Sequence, residues 1–170
     1  MMLQTGSIAP NFSQQSSQGE INFFDWAGDS WIVFFSYPAN CSPVCTTELD
    51  SVAKLKPEFD RRGVKVIALS VNEQQFQQDL IDEVEKTHDT TINYPIVADA
   101  DNSVSELYDM INSDADAKVI VRTVLIIDPQ KKVRLTISDP PDMEGDLKIS
   151  SKRDFQDVLR VIDSLQSSDN

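Results

Sequence analysis

Residues 31–49 read WIVFFSYPANCSPVCTTEL, and they predict a buried strand, a polar turn and the start of a helix. The opening run, 31–35, is continuously apolar and of strand length, which is typical of a central strand covered on both faces. Pro43 suits the first turn of a helix because its missing N–H is not needed there, and Ser42 before it is a natural N-cap. Junctions of this kind between a strand and a helix often carry the chemistry of α/β proteins.

The predicted helix that follows carries Cys45 in its first turn. An apolar stripe at helical spacing defines its buried face, and the thiol lies on that line: Cys45, Leu49, Val52, Leu55 and Phe59. Pro57 is expected to kink this helix near its end, and Gly63 is expected to end it.

The rest of the chain alternates strands with helices. Strands are predicted around 11–12 and at 21–24, 64–71, 94–98, 119–127 and 133–138, and helices at 73–86, 103–110 and 152–166. The turn at 128–132 makes the last two strands a hairpin. This order predicts one domain over residues 1–170, an α/β fold with three layers, α/β/α, around a central mixed sheet.

Composition narrows the classes of partner and compartment. The formal net charge is −13, which argues against nucleic acid or an anionic membrane as a main partner, since both require clustered Lys and Arg. Two cysteines cannot build the disulfide scaffold of a small secreted protein. No basic start with an apolar block and no run of membrane-spanning length is present, so we expect a cytoplasmic protein.

Cys45 has two interpretations from the residues alone. It is either a small buried apolar residue on a helix face or a nucleophile whose thiolate is favoured by the positive end of the helix dipole. The helix-start position and the polar, proline-rich approach favour the nucleophile. Arg122 interrupts an apolar strand and is the candidate cation for the thiolate; the alternative is an arginine at the strand rim paired with a surface carboxylate. Glu48 would orient Arg122 or simply complement the helix start.

The pattern Pro38-x-x-x-Ser42-x-x-Cys45, continued by Thr46-Thr47-Glu48, resembles the signature of the peroxiredoxins, the alkyl hydroperoxide reductase/thiol-specific antioxidant family, and in particular its 1-Cys branch. Further similarity covers nearly the whole chain, through 9–12, 64–71, 94–96, 121–122, 127–129 and 161–165. The resemblance implies a thioredoxin-like fold and a thiol-dependent peroxidase without a metal or organic cofactor.

The resemblance also implies a role for each site residue. Cys45 would attack a peroxide oxygen and become a sulfenic acid, and Ser42 would hydrogen-bond the peroxide. Arg122 would stabilise the thiolate and the charge that develops on the oxygens. Pro38 would shield the pocket and Glu48 would anchor the arginine. A second pocket arginine of the family matches Arg153.

Three features depart from the branch pattern. Tyr37 stands where the branch usually has His, and the only histidine, His88, is expected in a polar surface loop. Cys41 replaces a usual Phe and is a candidate resolving thiol; the alternative is a loop cysteine filling the space of that Phe. The C-terminal extension usual in the branch is absent from the 170 residues, so the dimer mode is open, although a homodimer is expected.

The sequence is compatible with more than one class of function. A peroxidase needs a thiol reductant, such as glutathione or thioredoxin, to restore Cys45. A non-catalytic redox sensor or binding protein on the same fold is the alternative. A disulfide oxidoreductase is disfavoured because three residues, not two, separate Cys41 from Cys45.

The acidic residues at 99–102 faintly resemble a calcium loop, but a capping turn explains them.

Overall fold

The computed structural model describes residues 5–36, 43–70, 74–101, 103–108, 111–112, 119–120, 122–139 and 155–168. The strands are β1 (Ser13–Ser16), β2 (Gly19–Asn22), β3 (Trp31–Ser36), β4 (Val64–Ser70), β5 (Ile96–Ala98), β6 (Ile111–Asn112), β7 (Val119–Ile120), β8 (Arg122–Ile127) and β9 (Val133–Asp139). The helices are α1 (Phe23–Ala27), α2 (Pro43–Arg61), α3 (Gln74–His88), α4 (Ser103–Leu107) and α5 (Phe155–Ser168).

Seven strands form one mixed sheet in the order β2-β1-β5-β4-β3-β8-β9. The central strands β3, β4 and β5 run parallel, and the flanking pairs are antiparallel. The predicted hairpin is confirmed as β8 and β9. Strands β6 and β7 pair separately as a short antiparallel ladder. The sheet therefore places β3, the strand that leads to the cysteines, near its centre.

Both faces of the sheet are covered, as the apolar run in β3 predicted. Val33 and Phe35 pack with apolar residues of α2, α3 and α5 on one face. Ile32 and Phe34 pack with residues of α1 and α4 on the other. All four side chains are completely buried, because successive residues of a strand point to opposite faces. The three-layer α/β/α architecture is confirmed.

Helix α2 follows the prediction closely. Leu49, Val52 and Phe59 are buried in the core on the predicted stripe, with Leu55 packed against it. Pro57 lies inside the helix, and Gly63, just after it, has φ of 69°, a conformation that glycine adopts without steric cost. None of the helices in the described part of the chain is long and apolar enough to cross a membrane.

Helix α5 is bound to the far end of α2 by Arg62. Its Nε and Nη2 donate to the two carboxylate oxygens of Asp163, at 2.7 and 3.1 Å. The same guanidinium donates to the carboxylate and the carbonyl oxygen of Glu58. The hydrogen bonds to Asp163, and next those to Glu58, raise the pKa of Arg62. The last helix is thereby held against the helix that carries Cys45.

The second face contains an aromatic cluster. Tyr108, immediately after α4, is 1 % exposed and its hydroxyl donates to the carbonyl oxygen of Pro10. Its ring contacts Phe12 edge-on at 5.8 Å and lies 5.1 Å from the ring of Phe34. Burial raises the pKa of Tyr108. This cluster lies across the sheet from α2.

Some predicted elements were wrong. The strand predicted around 11–12 begins later, at Ser13. The strand predicted at 21–24 ends at Asn22, and Phe23 begins α1. Asn22 caps that helix by accepting a hydrogen bond from the backbone N of Asp25, which the apolar pattern did not reveal.

Predictions for the second half of the chain were also wrong in places. The run 119–127 is two strands, because 119–120 pairs with β6 whereas Arg122 begins the strand that pairs with β3. His88 is the last residue of α3, not part of a loop. The sequence also predicts an acidic loop at 112–118, but Asn112 lies in β6, and 113–118 lie outside the described residues.

Candidate functional site

The backbone places Cys45 at the start of α2, close in sequence to the carboxyl end of β3. Strand β3 ends at Ser36 and α2 begins at Pro43, so six residues separate the helix from the end of a central buried strand. The first turn of α2 contains no acidic residue. Unpaired N–H groups and the positive end of the helix dipole therefore act there without an opposing carboxylate. Such a position favours a thiolate over a thiol.

Arg122 begins β8 at the same end of the sheet. Strand β8 is antiparallel to β3, and Phe35 pairs with Val124. Position 122 therefore lies at the end of the sheet where β3 ends. Because strand residues alternate between faces, we expect position 122 on the face of Val124 and Ile126, which pack in the layer that contains α2. The topology thus brings Cys45 and Arg122 to one end and one face of the sheet.

A side-chain hydrogen bond joins β3 to β8 beside Arg122. The backbone N of Thr123 donates to the hydroxyl oxygen of Ser36 at 3.0 Å, and both residues are buried. This bond fixes the chain one residue from Arg122 against the last residue of β3. The start of β8 and the start of the segment that leads to Cys45 therefore share one rigid anchor.

Tyr94 supports α2 from the segment that precedes β5. Its ring is 1 % exposed and lies 6.0 Å from the ring of Phe35. Its hydroxyl donates to the backbone carbonyl oxygen of Leu49 at 2.9 Å. Leu49 lies one helical turn after Cys45, so this bond connects the early part of α2 to the strand layer beneath it.

The predicted site residues are not all described. Cys45 and Glu48 lie in α2, and Arg122 lies in β8, with their backbones described but not their side chains. The remaining predicted residues lie outside the described part of the chain: Pro38, Cys41, Ser42 and Arg153. The roles assigned to all seven residues stay predictions.

The acidic residues at 99–101 act in capping. Asp99 is buried and accepts hydrogen bonds from the backbone N atoms of Val104 and Ser105, at 3.0 and 2.8 Å. Asp101 accepts from the backbone N and the hydroxyl of Ser103, and these bonds lower the pKa of Asp101. The capping-turn interpretation is confirmed. Among the described residues, no group of three or more His, Cys, Asp or Glu side chains could hold a metal ion.

Comparison with protein families matches residues 5–136 to the model described as the AhpC/TSA family. The chain belongs to the AhpC/TSA family. The resemblance to peroxiredoxins seen in the motif around Cys45 is therefore confirmed at the level of the family.

Curated relatives of this AhpC/TSA chain are named as peroxiredoxins. A 1-Cys peroxiredoxin of Dictyostelium discoideum is 42 % identical over 98 % of this chain and 66 % of its own length. A mitochondrial peroxiredoxin of Saccharomyces cerevisiae is 41 % identical over 98 % of this chain and 64 % of its own length. The chain thus spans slightly less than two thirds of these two curated relatives.

A solved structure of a yeast mitochondrial 1-Cys peroxiredoxin, studied for its thiol resolving mechanism via the glutathione/thioredoxin systems, superposes with a TM-score of 0.84. It is 42 % identical in sequence, and the match covers 99 % of this chain and 78 % of that one. The similarity confirms the thioredoxin-like fold implied by the sequence.

Sequence reasoning missed two residues that support the site. Ser36 was treated only as the first residue of the polar turn after the apolar run, and Tyr94 only as the start of a strand. A hydroxyl at the buried end of a strand was the available signal for Ser36, since such a group needs a partner. Tyr94 offered a similar signal, because a buried tyrosine usually finds a hydrogen-bond partner for its hydroxyl.

Proposed function

We propose that the chain is a thiol peroxidase that reduces hydrogen peroxide or small organic hydroperoxides through Cys45. The observation that carries this proposal is the placement of Cys45, in the first turn of α2 at the sheet end where β8 begins with Arg122. Membership of the AhpC/TSA family and the similarity to 1-Cys peroxiredoxins support it. The alternative of a non-catalytic sensor has no observation that favours it.

The proposed reaction begins with the thiolate of Cys45. Its sulfur attacks one peroxide oxygen, an S–O bond forms and the O–O bond breaks, and the departing oxygen leaves as water or an alcohol after taking a proton. Sulfur loses two electrons and becomes a sulfenic acid. Ser42 and Arg122 are proposed to donate hydrogen bonds to the two oxygens, where negative charge develops. No metal or organic cofactor is needed for this displacement.

The other residues have supporting roles in the proposal. Glu48 holds the guanidinium of Arg122, Pro38 shields the pocket from water, and Arg153 completes the substrate-binding side. A thiol reductant then attacks the sulfenic sulfur, releases water and forms a disulfide, which a second thiol reduces. Glutathione and thioredoxin are the candidate reductants, since the yeast relative was studied with those systems. We further propose a homodimer in the cytoplasm.

Cys45→Ser tests the proposal directly. We expect peroxide consumption with excess dithiothreitol in the wild type and its complete loss in Cys45→Ser. Arg122→Met is expected to slow sulfenic acid formation at least about a hundredfold, the scale for removal of one donor to a developing oxyanion. Arg61→Met removes the same charge from an exposed position on α2 and is the control, expected to react at the wild-type rate. Equal peroxide consumption by wild type and Cys45→Ser would refute the proposal.

The role of Cys41 is decided by the oxidised product. One equivalent of peroxide is added to the reduced protein, and intact and peptide masses are measured. An intramolecular disulfide between Cys41 and Cys45 supports a local resolving role. A sulfenic or sulfinic acid on Cys45 with free Cys41 rejects it and leaves an external thiol as the reductant.

A further inference from the structure

Two consecutive side chains bind α2 one turn apart. The hydroxyl of Tyr94 donates to the carbonyl oxygen of Leu49 at 2.9 Å, and the side-chain amide of Asn93 approaches the carbonyl oxygen of Ala53 at 3.5 Å. Leu49 and Ala53 are four residues apart, so these carbonyls lie on the same side of the helix. Residues 93–94 therefore contact α2 at two successive turns, and we call this pair of contacts the α2 clamp.

Pro57 explains the lower contact of the α2 clamp. In a regular α-helix the carbonyl of Ala53 accepts a hydrogen bond from the backbone N–H of residue 57. Proline has no N–H, so that bond cannot form. The amide of Asn93 supplies a donor at the carbonyl that Pro57 leaves without its helical one. Because this contact is long, the hydrogen bond from Asn93 is the weaker of the two in the α2 clamp.

The upper contact lies next to the turn that carries Cys45. In the same helical ladder the backbone N–H of Leu49 bonds to the carbonyl of Cys45. Tyr94 thus binds the residue that closes the first turn behind the thiol. Its ring also lies against Phe35 of β3, one residue before Ser36. One side chain therefore links the helix of Cys45 to the strand whose end is joined to β8 beside Arg122.

We propose that Tyr94 is a positioning residue for Cys45: its hydroxyl, acting through the carbonyl of Leu49, holds the first turn of α2 in the place where the helix terminus favours the thiolate. The proposal deepens the proposed function and rests on it. Displacement of a reacting group by a fraction of an ångström is costly in rate, because attack requires aligned atoms at close approach. Loss of the hydroxyl therefore lowers the reactivity of Cys45 without removing any group that touches peroxide.

The test compares Tyr94→Phe with Tyr108→Phe. Each variant loses one hydroxyl of a tyrosine that is 1 % exposed and that donates to a backbone carbonyl, but Tyr108 lies on the face of the sheet opposite α2. The two variants lose similar stability and keep the aromatic ring, so both are expected to fold. Any effect of general destabilisation appears in both, whereas an effect of positioning appears only in Tyr94→Phe.

Two rates are measured against pH: oxidation of Cys45 by peroxide, and its alkylation by iodoacetamide, read from the Cys45 peptide by mass spectrometry. We expect Tyr94→Phe to slow both about three- to tenfold at pH 7, the range that the net worth of one hydrogen bond corresponds to. The midpoint of its alkylation profile is expected at higher pH than in the wild type. Tyr108→Phe is expected to stay within about twofold of the wild type with an unchanged midpoint.

The outcomes separate this inference from the proposed function. If wild-type Cys45 is alkylated with a pH profile but does not react with peroxide, the peroxidase proposal fails, and the alkylation midpoints still decide the role of Tyr94. Equal midpoints in the wild type and Tyr94→Phe, or equal shifts in the two variants, overturn the positioning role. Hydrogen exchange of α2 amides gives a third readout, expected to accelerate before residue 53 in Tyr94→Phe alone.

Discussion

Replacement of Tyr108 by Phe is expected to make the protein less stable at neutral pH but more stable than the wild type in strong alkali. The variant loses the hydrogen bond from the hydroxyl of Tyr108 to the carbonyl oxygen of Pro10. One such bond contributes about 1 kcal/mol net. At pH 7 we therefore expect the free energy of unfolding to fall by about 1 kcal/mol, with the ring contacts of the aromatic cluster kept.

The alkaline effect follows from the raised pKa of Tyr108. Burial holds its folded-state pKa above the unfolded value, which is about 10. Between these two values the unfolded chain has lost the proton and the folded chain has not, so rising pH favours unfolding. The wild type then loses about 1.4 kcal/mol per pH unit that the variant does not lose. This loss offsets the missing hydrogen bond at about pH 10.7, where the two stabilities should be equal.

Urea unfolding, followed by circular dichroism between pH 7 and pH 11.5, measures both effects. Other titrating groups are common to the two proteins, so only the difference in unfolding free energy is interpreted. A curve of that difference that changes sign between about pH 10 and pH 11 supports the reasoning. A difference that stays constant above pH 10 would refute it, because it would mean that the phenol titrates alike in the folded and unfolded chains.

Two further predictions concern the contacts of α2. The bidentate pair of Arg62 and Asp163 is partly exposed. A double-mutant cycle to alanine, measured by urea unfolding, is expected to give a coupling free energy of about 0.5–1 kcal/mol that becomes smaller in 0.5 M salt. A coupling of zero would show that α5 is held against α2 by apolar contacts alone. Asn93→Ala is expected to destabilise the protein by about 0.5–1 kcal/mol in the wild type and by less in Pro57→Ala, where residue 57 supplies the N–H for the carbonyl of Ala53. An equal cost of Asn93→Ala in both backgrounds would remove the explanation based on proline.

The elements that could be predicted are those whose pattern is dominated by one simple burial rule. Strand β3 is apolar on both faces because helices cover both, and its continuous run indicated this directly. Helix α2 was predicted from its apolar stripe and its proline and glycine. Phe23 and Phe24 were misassigned because a buried aromatic pair fits a strand or a helix equally well. The hydrogen bond by which Asn22 caps the helix forms in the folded chain, and it identifies Phe23 as the start of α1.

The residues of the candidate site also differ in how far the sequence could predict them. Cys45 and Arg122 could be proposed because each gives a chemical signal in its own stretch of sequence: a thiol at the positive end of a helix, and a charge in an apolar strand. The residues that hold the two elements in place gave a weaker signal, a buried hydroxyl that needs a partner, and the sequence does not show which residue that partner is. Tyr94 reads as an ordinary core aromatic, and its bond to Leu49 spans 45 residues of sequence. Ser36 and Thr123 are 87 residues apart.

This difference has a physical cause. A thiolate or a buried charge needs a local environment that stabilises the charge, and part of that environment is visible in the nearby sequence. A supporting hydrogen bond needs only one donor and one acceptor brought together by the fold, and either partner alone is unremarkable. The sequence 31–49 was therefore enough to propose Cys45 as a nucleophile, whereas the contacts proposed to hold it in place come from the segment before β5 and from β8. The Tyr94→Phe variant is accordingly the sharper test of how the fold positions Cys45.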